Sequence, residues 1–395
     1  LGIISPLGTG LTETWASLAE GKSAIGPIGL VDTSRLRFQN GAEVRGYHPD
    51  QHFKGSQADL MDRFAQFAVI AGRQALQDSG RTITPELSPQ TAIVTGSCVG
   101  GQSTQDVGFQ SVYQKNINRV HPLTIPRTMA NAGASLLSME LGIRGPAFTV
   151  STACSSANHA IGQAFWMVRS GQAKLALTGG SEAPFSFGLL KAWEAMRVVS
   201  PDTCRPFCKG RQGLILGEGG AMMVLEPLET ALARGAKIYG ELAGFGMSSD
   251  AGHITAPTLE GPVTAMKAAL SDAQIAPEQI NYINAHGTGT AGNDATECRA
   301  IRQVFGQHAE RLAISSTKSM HGHALGAAGA LEAVATLLAM REQRIPPTVN
   351  FTVQDPECDL DVVPNHSRPA TIECALSNSF AFGGLNAVLA FRKMH

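Results

Sequence analysis

What most constrains this 395-residue chain is a unit that it repeats. A short apolar run ends in a turn of glycine or other small residues, and a stretch with helical apolar spacing follows. In the first part, strands are expected at 91–95, 146–150, 174–178 and 220–225, and helices at 11–20, 61–79, 135–141 and 157–168. The helix at 61–79 has apolar residues at 64, 67, 68, 71, 75 and 76 and closes at Gly80. The pattern then restarts. Strands are expected at 237–248, 280–283, 313–315, 375–377 and 387–391, and helices at 263–273, 294–305 and 327–340. Alternating strands and helices predict an α/β fold, a mostly parallel sheet with helices on its faces. Two such runs of similar length suggest an internal duplication, with halves at 1–230 and 231–395.

The sharpest chemical signal in the first half is Val150-Ser-Thr-Ala-Cys-Ser-Ser-Ala-Asn-His159. Cys154 sits where a strand hands over to a helix, among residues small enough to let another molecule approach. The N–H groups and positive dipole of a helix N-terminus favour a thiolate, the setting of a nucleophilic cysteine. On this segment alone the plainer alternative stays open, that Cys154 is a small buried hydrophobe.

Three later loops each follow a short strand. Asn284-Ala-His-Gly-Thr-Gly-Thr290 leaves the His286 ring accessible. Lys318-Ser-Met-His-Gly-His323 runs into Ala324-Leu-Gly-Ala-Ala-Gly-Ala330, whose small residues permit close helix packing. Asn378-Ser-Phe-Ala-Phe-Gly-Gly384 can present free backbone N–H groups, the ingredients of an oxyanion hole. Each loop alone has a structural explanation. As a set they place Cys, His, Lys-His and a glycine turn at strand ends, where open α/β sheets form their ligand crevice.

Composition narrows the function classes. A net charge of −1 supplies no global field for nucleic acid or a membrane surface. No apolar run reaches the roughly 18 residues that span a bilayer, and no signal peptide is visible. The chain opens at Leu1 without Met, which reads as a strand trimmed at its start. Seven irregularly spaced cysteines suggest free thiols in a reducing compartment. Cys204 and Cys208 are four apart, but no second pair completes a zinc site.

In this order, Thr152-Ala-Cys-Ser-Ser156, the Asn284–Thr290 loop, Lys318-Ser-Met-His-Gly-His-Ala-Leu-Gly-Ala-Ala-Gly329 and the Asn378–Gly384 loop are highly specific. The chain resembles the β-ketoacyl-acyl carrier protein synthases of the thiolase superfamily, closest to the type II elongating enzymes. The likeness runs from Ser5 to Asn386. It implies a thiolase-like fold, two duplicated α/β halves in α-β-α-β-α layers. It implies that Cys154 takes an acyl group from a carrier-protein thioester and that the N–H groups of Cys154 and Phe382 form the oxyanion hole. His286 and His323, as neutral donors, would polarise the malonyl thioester as CO2 leaves, and Lys318 would order the site. Thr288 and Thr290 would contact the pantetheine arm. Phe380 and Phe382 would line the substrate path, Phe382 also acting as a gate, and Val99 would line the end of the acyl channel. No cofactor is required. In relatives a buried monovalent cation can lie near the site; the matching positions are Asn284, Glu297, Glu332 and Ser377. Acyl carrier protein is the expected partner, in a cytoplasmic homodimer with a heterodimer as the alternative. Neither nucleic acid nor membrane insertion is expected.

The sequence departs from the family pattern in places. Arg205-Pro-Phe-Cys208 and Arg211-Gln-Gly-Leu214 lack two acidic residues, His321 stands where Thr is common, and Ala381 replaces a glycine. These leave the catalytic set intact but put the acyl chain and carrier in doubt. Two other functions stay open, a decarboxylating or acyl-transferring relative and a non-elongating partner subunit of a ketosynthase heterodimer.

Overall fold

The computed structural model describes residues 1–394. The first half builds one sheet from β1 (Gly2–Ser5), β2 (Thr91–Gly96), β3 (Ala147–Val150), β4 (Leu175–Glu182) and β5 (Gly219–Leu225). The second half builds another from β6 (Glu241–Ser249), β7 (Tyr282–Asn284), β8 (Ala313–Ser315), β9 (Cys374–Ala381) and β10 (Leu385–Arg392). The order across the first sheet is β1-β5-β4-β2-β3, with the two-residue strand Gly8–Thr9 added outside β1, and across the second β6-β10-β9-β7-β8. Numbered within its own half, each set of five strands therefore has the same order. The pairing senses repeat as well. In the first, β2 is parallel to β3 and β4, β4 is antiparallel to β5, and β5 to β1. In the second, β7 is parallel to β8 and β9, β9 is antiparallel to β10, and β10 to β6.

In each half the first four strands run in one direction, as helical crossovers between them require, and the last strand runs against them, inserted between the first and the fourth. The sheets are thus mostly parallel in strand direction, with mixed pairing around that one reversed strand. A correction concerns Gly179 and Gly180, expected to end a strand at residue 178. Instead β4 continues through both to Glu182. A Cβ at Gly179 would lie 2.0 Å from the Ala221 carbonyl oxygen of the neighbouring strand. These glycines are sites of close backbone approach inside a ladder rather than a turn.

Helices complete five layers. On the outer side of the first sheet lie α1 (Arg63–Ser79) and α2 (Ala132–Leu141). On the outer side of the second lie α4 (Glu260–Ala273) and α5 (Ala291–Phe305). Between the sheets, α3 (Ser156–Arg169) and α6 (Ala328–Glu342) pack against each other, and each touches both sheets. Residues 328–340 of α6 are all buried, so this helix has no polar face, as befits a central layer. Its Ala-Gly-Ala start permits the close packing: a Cβ on Gly329 would sit 2.3 Å from Asn158 Oδ1 of α3. The central pair fixes the ends of β3, β7, β8 and β9 relative to one another, and the site forms there.

Candidate active site

Cys154 lies between the end of β3 and the first turn of α3 and is buried. Ala153 before it has φ of 50°, an unfavourable value for a residue with a Cβ. Side chains around it secure the turn. Ser155 Oγ–H donates to the Thr152 carbonyl at 2.9 Å, Ser156 Oγ–H donates to the Ala153 carbonyl at 2.6 Å, and Thr152 N–H donates to Ser156 Oγ at 2.9 Å. The backbone N–H groups of Phe382 and of Cys154 itself act on the sulfur.

The thiolate expected from the helix terminus is corrected by the surroundings of that sulfur. Burial is the largest influence on the thiol and pushes its pKa up to about 11, against the opposing pull of the Lys318 ammonium and the two N–H groups. Removing a charge from water outweighs a helix terminus whose first helical residue is two positions away. Cys154 is therefore a thiol in the resting site.

The two histidines face the same cleft. Their rings are 5.5 Å apart at 85°, and the His286 ring lies 6.0 Å from that of Phe380. His286 follows β7, and its loop is anchored by the buried Glu297 of α5. The carboxylate accepts His286 N–H at 2.9 Å, Gly287 N–H at 2.8 Å and the Asn378 amide at 3.1 Å. His323 donates its backbone N–H to the Ile215 carbonyl at 2.7 Å, and its Nδ1 accepts Leu325 N–H at 3.2 Å. An N–H donor at Nδ1 leaves the ring proton on Nε2. Burial, then the nearby Lys318 charge, holds both imidazoles well below the usual histidine range. Both are neutral near pH 7. Lys318 itself is fully buried and pairs with Glu332 of α6.

Cys154, His286, His323, Phe380 and Phe382 line one cavity of about 380 Å³. Thr288 and Thr290 line it too, their hydroxyls 2.8 Å apart. Lys318 stands behind the cleft rather than in its wall. Phe382 occupies the turn between β9 and β10, where Gly383 and Gly384 have φ of 83° and 70°, and its ring stacks on Trp193 at 6.2 Å. Val99 is not brought to this cavity. The N–H groups of its turn are drawn toward Glu182, and Val99 packs in an apolar cluster with Leu190, Leu216 and Leu325.

Around the expected cation positions, Asn284 Oδ1, Glu332 Oε2 and Ser377 Oγ are buried without a hydrogen-bond partner. Such oxygens suit a hard monovalent cation. The Glu297 carboxylate is instead engaged by the N–H donors above. Sequence reasoning also missed Asp250, which lines the cavity mouth. It accepts the Asn386 amide at 2.7 Å and Thr258 N–H at 2.8 Å, and its own N–H donates to the Gly384 carbonyl at 2.9 Å, bracing the Phe382 turn. The available signal was its place just after β6. Of the two positions that lack the acidic residue, Cys208 takes Thr352 N–H on its Sγ at 3.2 Å and Gln212 lines the cavity; the neighbouring Arg211 pairs with Asp355.

A profile described as the N-terminal domain of β-ketoacyl synthase matches residues 1–231, and one for the C-terminal domain matches residues 239–352. The chain is 46% identical to a nodulation protein E from a Rhizobium species, covering 100% of this chain and 98% of that one. It is 44% identical to a 3-oxoacyl-[acyl-carrier-protein] synthase 2 from a Synechocystis species, covering 100% and 96%. Among solved structures, the ishigamide ketosynthase/chain length factor matches with a TM-score of 0.93 at 38% identity, over 100% of this chain and 98% of that one.

Proposed function

The chain belongs to the β-ketoacyl synthase family of acyltransferases, condensing enzymes of fatty-acid or polyketide synthesis, and from that premise we propose how its own residues divide the reaction. Cys154 Sγ attacks the acyl thioester on acyl carrier protein. Its proton goes to the departing pantetheine thiol, and the N–H groups of Cys154 and Phe382 hold the oxyanion. Malonyl carrier protein then enters past Thr288 and Thr290. The C–C bond to the carboxylate breaks, CO2 leaves, and the electron pair forms an enolate whose oxygen takes hydrogen bonds from His286 and His323. The enolate carbon attacks the acyl-Cys154 carbonyl and expels the sulfur, and the acyl chain is two carbons longer.

One observation carries this assignment: two neutral imidazoles face the cavity that also holds the cysteine. Decarboxylation needs donors for a developing oxyanion, and no carbon-bound proton has to be removed. Preorganised donors in a dry site supply that stabilisation. Burial keeps the imidazoles neutral, the Lys318 charge adds to it, and Lys318 is held by Glu332. Asn284, Glu332 and Ser377 would hold a monovalent cation, which would add positive charge beside that pair.

The family profiles support a division near residue 230 into one half with the nucleophile and one with the histidines. A homodimer is supported by an uncovered edge. Strand β3 pairs on one side only, with β2, and its Phe148 is exposed. Near it in sequence, Val107, Phe109, Tyr113, Ile125 and Met139 are exposed too. An edge strand beside an apolar surface is a natural seat for a second copy. Seven unpaired cysteines suit the cytoplasm, and no helix among the described residues is long and apolar enough to cross a membrane.

The test supplies acyl- and malonyl-carrier protein together and follows products by mass spectrometry. The expected result is an acyl adduct on Cys154 and a β-ketoacyl product longer by two carbons. CO2 release with no chain extension would favour a decarboxylating relative instead.

A further inference from the structure

Glu182 is the last residue of β4 and is fully buried. Its oxygens collect donors from two separate turns. From the turn after β2, Ser97 Oγ–H donates at 2.9 Å, Cys98 N–H at 2.8 Å and Val99 N–H at 3.3 Å. From the turn after His323, Gly326 N–H donates at 3.0 Å. Three of these partners are backbone N–H groups, which only donate, and none of the four is a lysine or arginine. Three converging N–H donors favour the carboxylate. Burial outweighs these hydrogen bonds and leaves the pKa of Glu182 raised above the usual carboxylate value.

The turn that Glu182 holds is under constraint. Leu325 has φ of 47°, and a Cβ at Gly326 would lie 2.4 Å from Glu182 Oε2 and 2.5 Å from Cys98 N. A backbone in this sparsely populated region persists only when its surroundings hold it. The N–H immediately before the clamped one, that of Leu325, is the donor to His323 Nδ1.

We propose that Glu182 is a positioning residue for decarboxylation: its carboxylate holds the Leu325–Gly326 turn so that Leu325 N–H faces His323 Nδ1 and the imidazole presents Nε2–H to the malonyl thioester oxygen. Glu182 touches neither substrate nor the reacting atoms and acts through the tautomer of His323. The same carboxylate holds the turn of Cys98 and Val99 in register with that loop. This inference rests on the decarboxylating role assigned above to His323.

The test combines kinetics with the imidazole nitrogen spectrum of the full-length protein labelled with 15N-histidine, His323 being assigned by its loss in His323→Asn. Wild type should show His323 with bare Nδ1 and protonated Nε2. In Glu182→Gln an amide N–H2 meets backbone N–H groups. His323 should then sample both tautomers, and kcat for malonyl decarboxylation should fall about tenfold or more with KM and the Cys154 alkylation rate held within about twofold. A wild-type tautomer and rate in Glu182→Gln would overturn the proposal. So would decarboxylation and alkylation falling together, the mark of mere structural support. Should the variant not fold, an Nδ1–H tautomer in the wild-type spectrum still overturns the proposal. His323→Asn decarboxylating at the wild-type rate would refute the underlying role of His323. Unchanged Glu182→Gln beside an inactive His323→Asn would refute the positioning role alone.

Discussion

At the scale of residues, the site sets a buried thiol beside two neutral imidazoles and keeps Lys318 behind them. This fixes a pH dependence. Because burial pushes Cys154 up to about 11, its thiolate fraction should climb through the whole range from neutral to alkaline. Iodoacetamide alkylation of Cys154 should therefore rise about tenfold per pH unit between pH 7 and 10. A plateau below pH 8 would mean a thiolate already formed at rest. Cys154, His286 and His323 were legible in the sequence because each stands among small residues in a loop after a strand. The protonation of Cys154 was not. A helix N-terminus can be read from sequence, whereas the desolvation that outweighs it depends on what the rest of the chain stacks above the sulfur. The setting of the Val99 turn was not legible either. Sequence shows a turn after β2, but not that Glu182 gathers its N–H groups together with that of Gly326.

At the scale of elements, the core strands and helices followed from apolar periodicity, the helices Gln102–Tyr113 and Phe187–Met196 were not read, and the early end given to β4 follows from glycine. Gly179 and Gly180 look like punctuation, yet they lie inside the β4–β5 ladder and carry β4 on to Glu182. Gly179→Ala would push a Cβ against the Ala221 carbonyl, backbone that cannot step aside. The variant should lose about 2–3 kcal/mol of stability, seen as a lower urea midpoint with an unchanged m value. A loss below about 0.5 kcal/mol would show that the ladder relaxes freely there. Strand direction was the other gap. Alternation of strand and helix signals crossovers and hence strands of one direction, but that the final strand inserts reversed between the first and the fourth is decided by packing. The antiparallel partners β5 and β10 are placed by that packing and leave no local mark in the sequence.

At the scale of the whole molecule, the repeated topology explains why the catalytic groups come from both halves. Each half alone leaves one helix, α3 or α6, without a second sheet, and stacking the halves buries both. The strand ends that carry Cys154 and the histidines are thereby brought to a common cleft. The apolar surface beside β3 remains open in one chain. Sedimentation at micromolar concentration should show a dimer, and Phe109→Glu with Tyr113→Glu should release monomers; a wild-type monomer would remove that surface from the assembly. The central claim is that acyl transfer and decarboxylation belong to different residues, and it is tested most directly by measuring CO2 release and condensation side by side in folded Cys154→Ala. With malonyl- and acyl-carrier protein supplied, CO2 should still be released while no β-ketoacyl product forms, because both imidazole donors remain. Loss of CO2 release together with condensation would contradict the division.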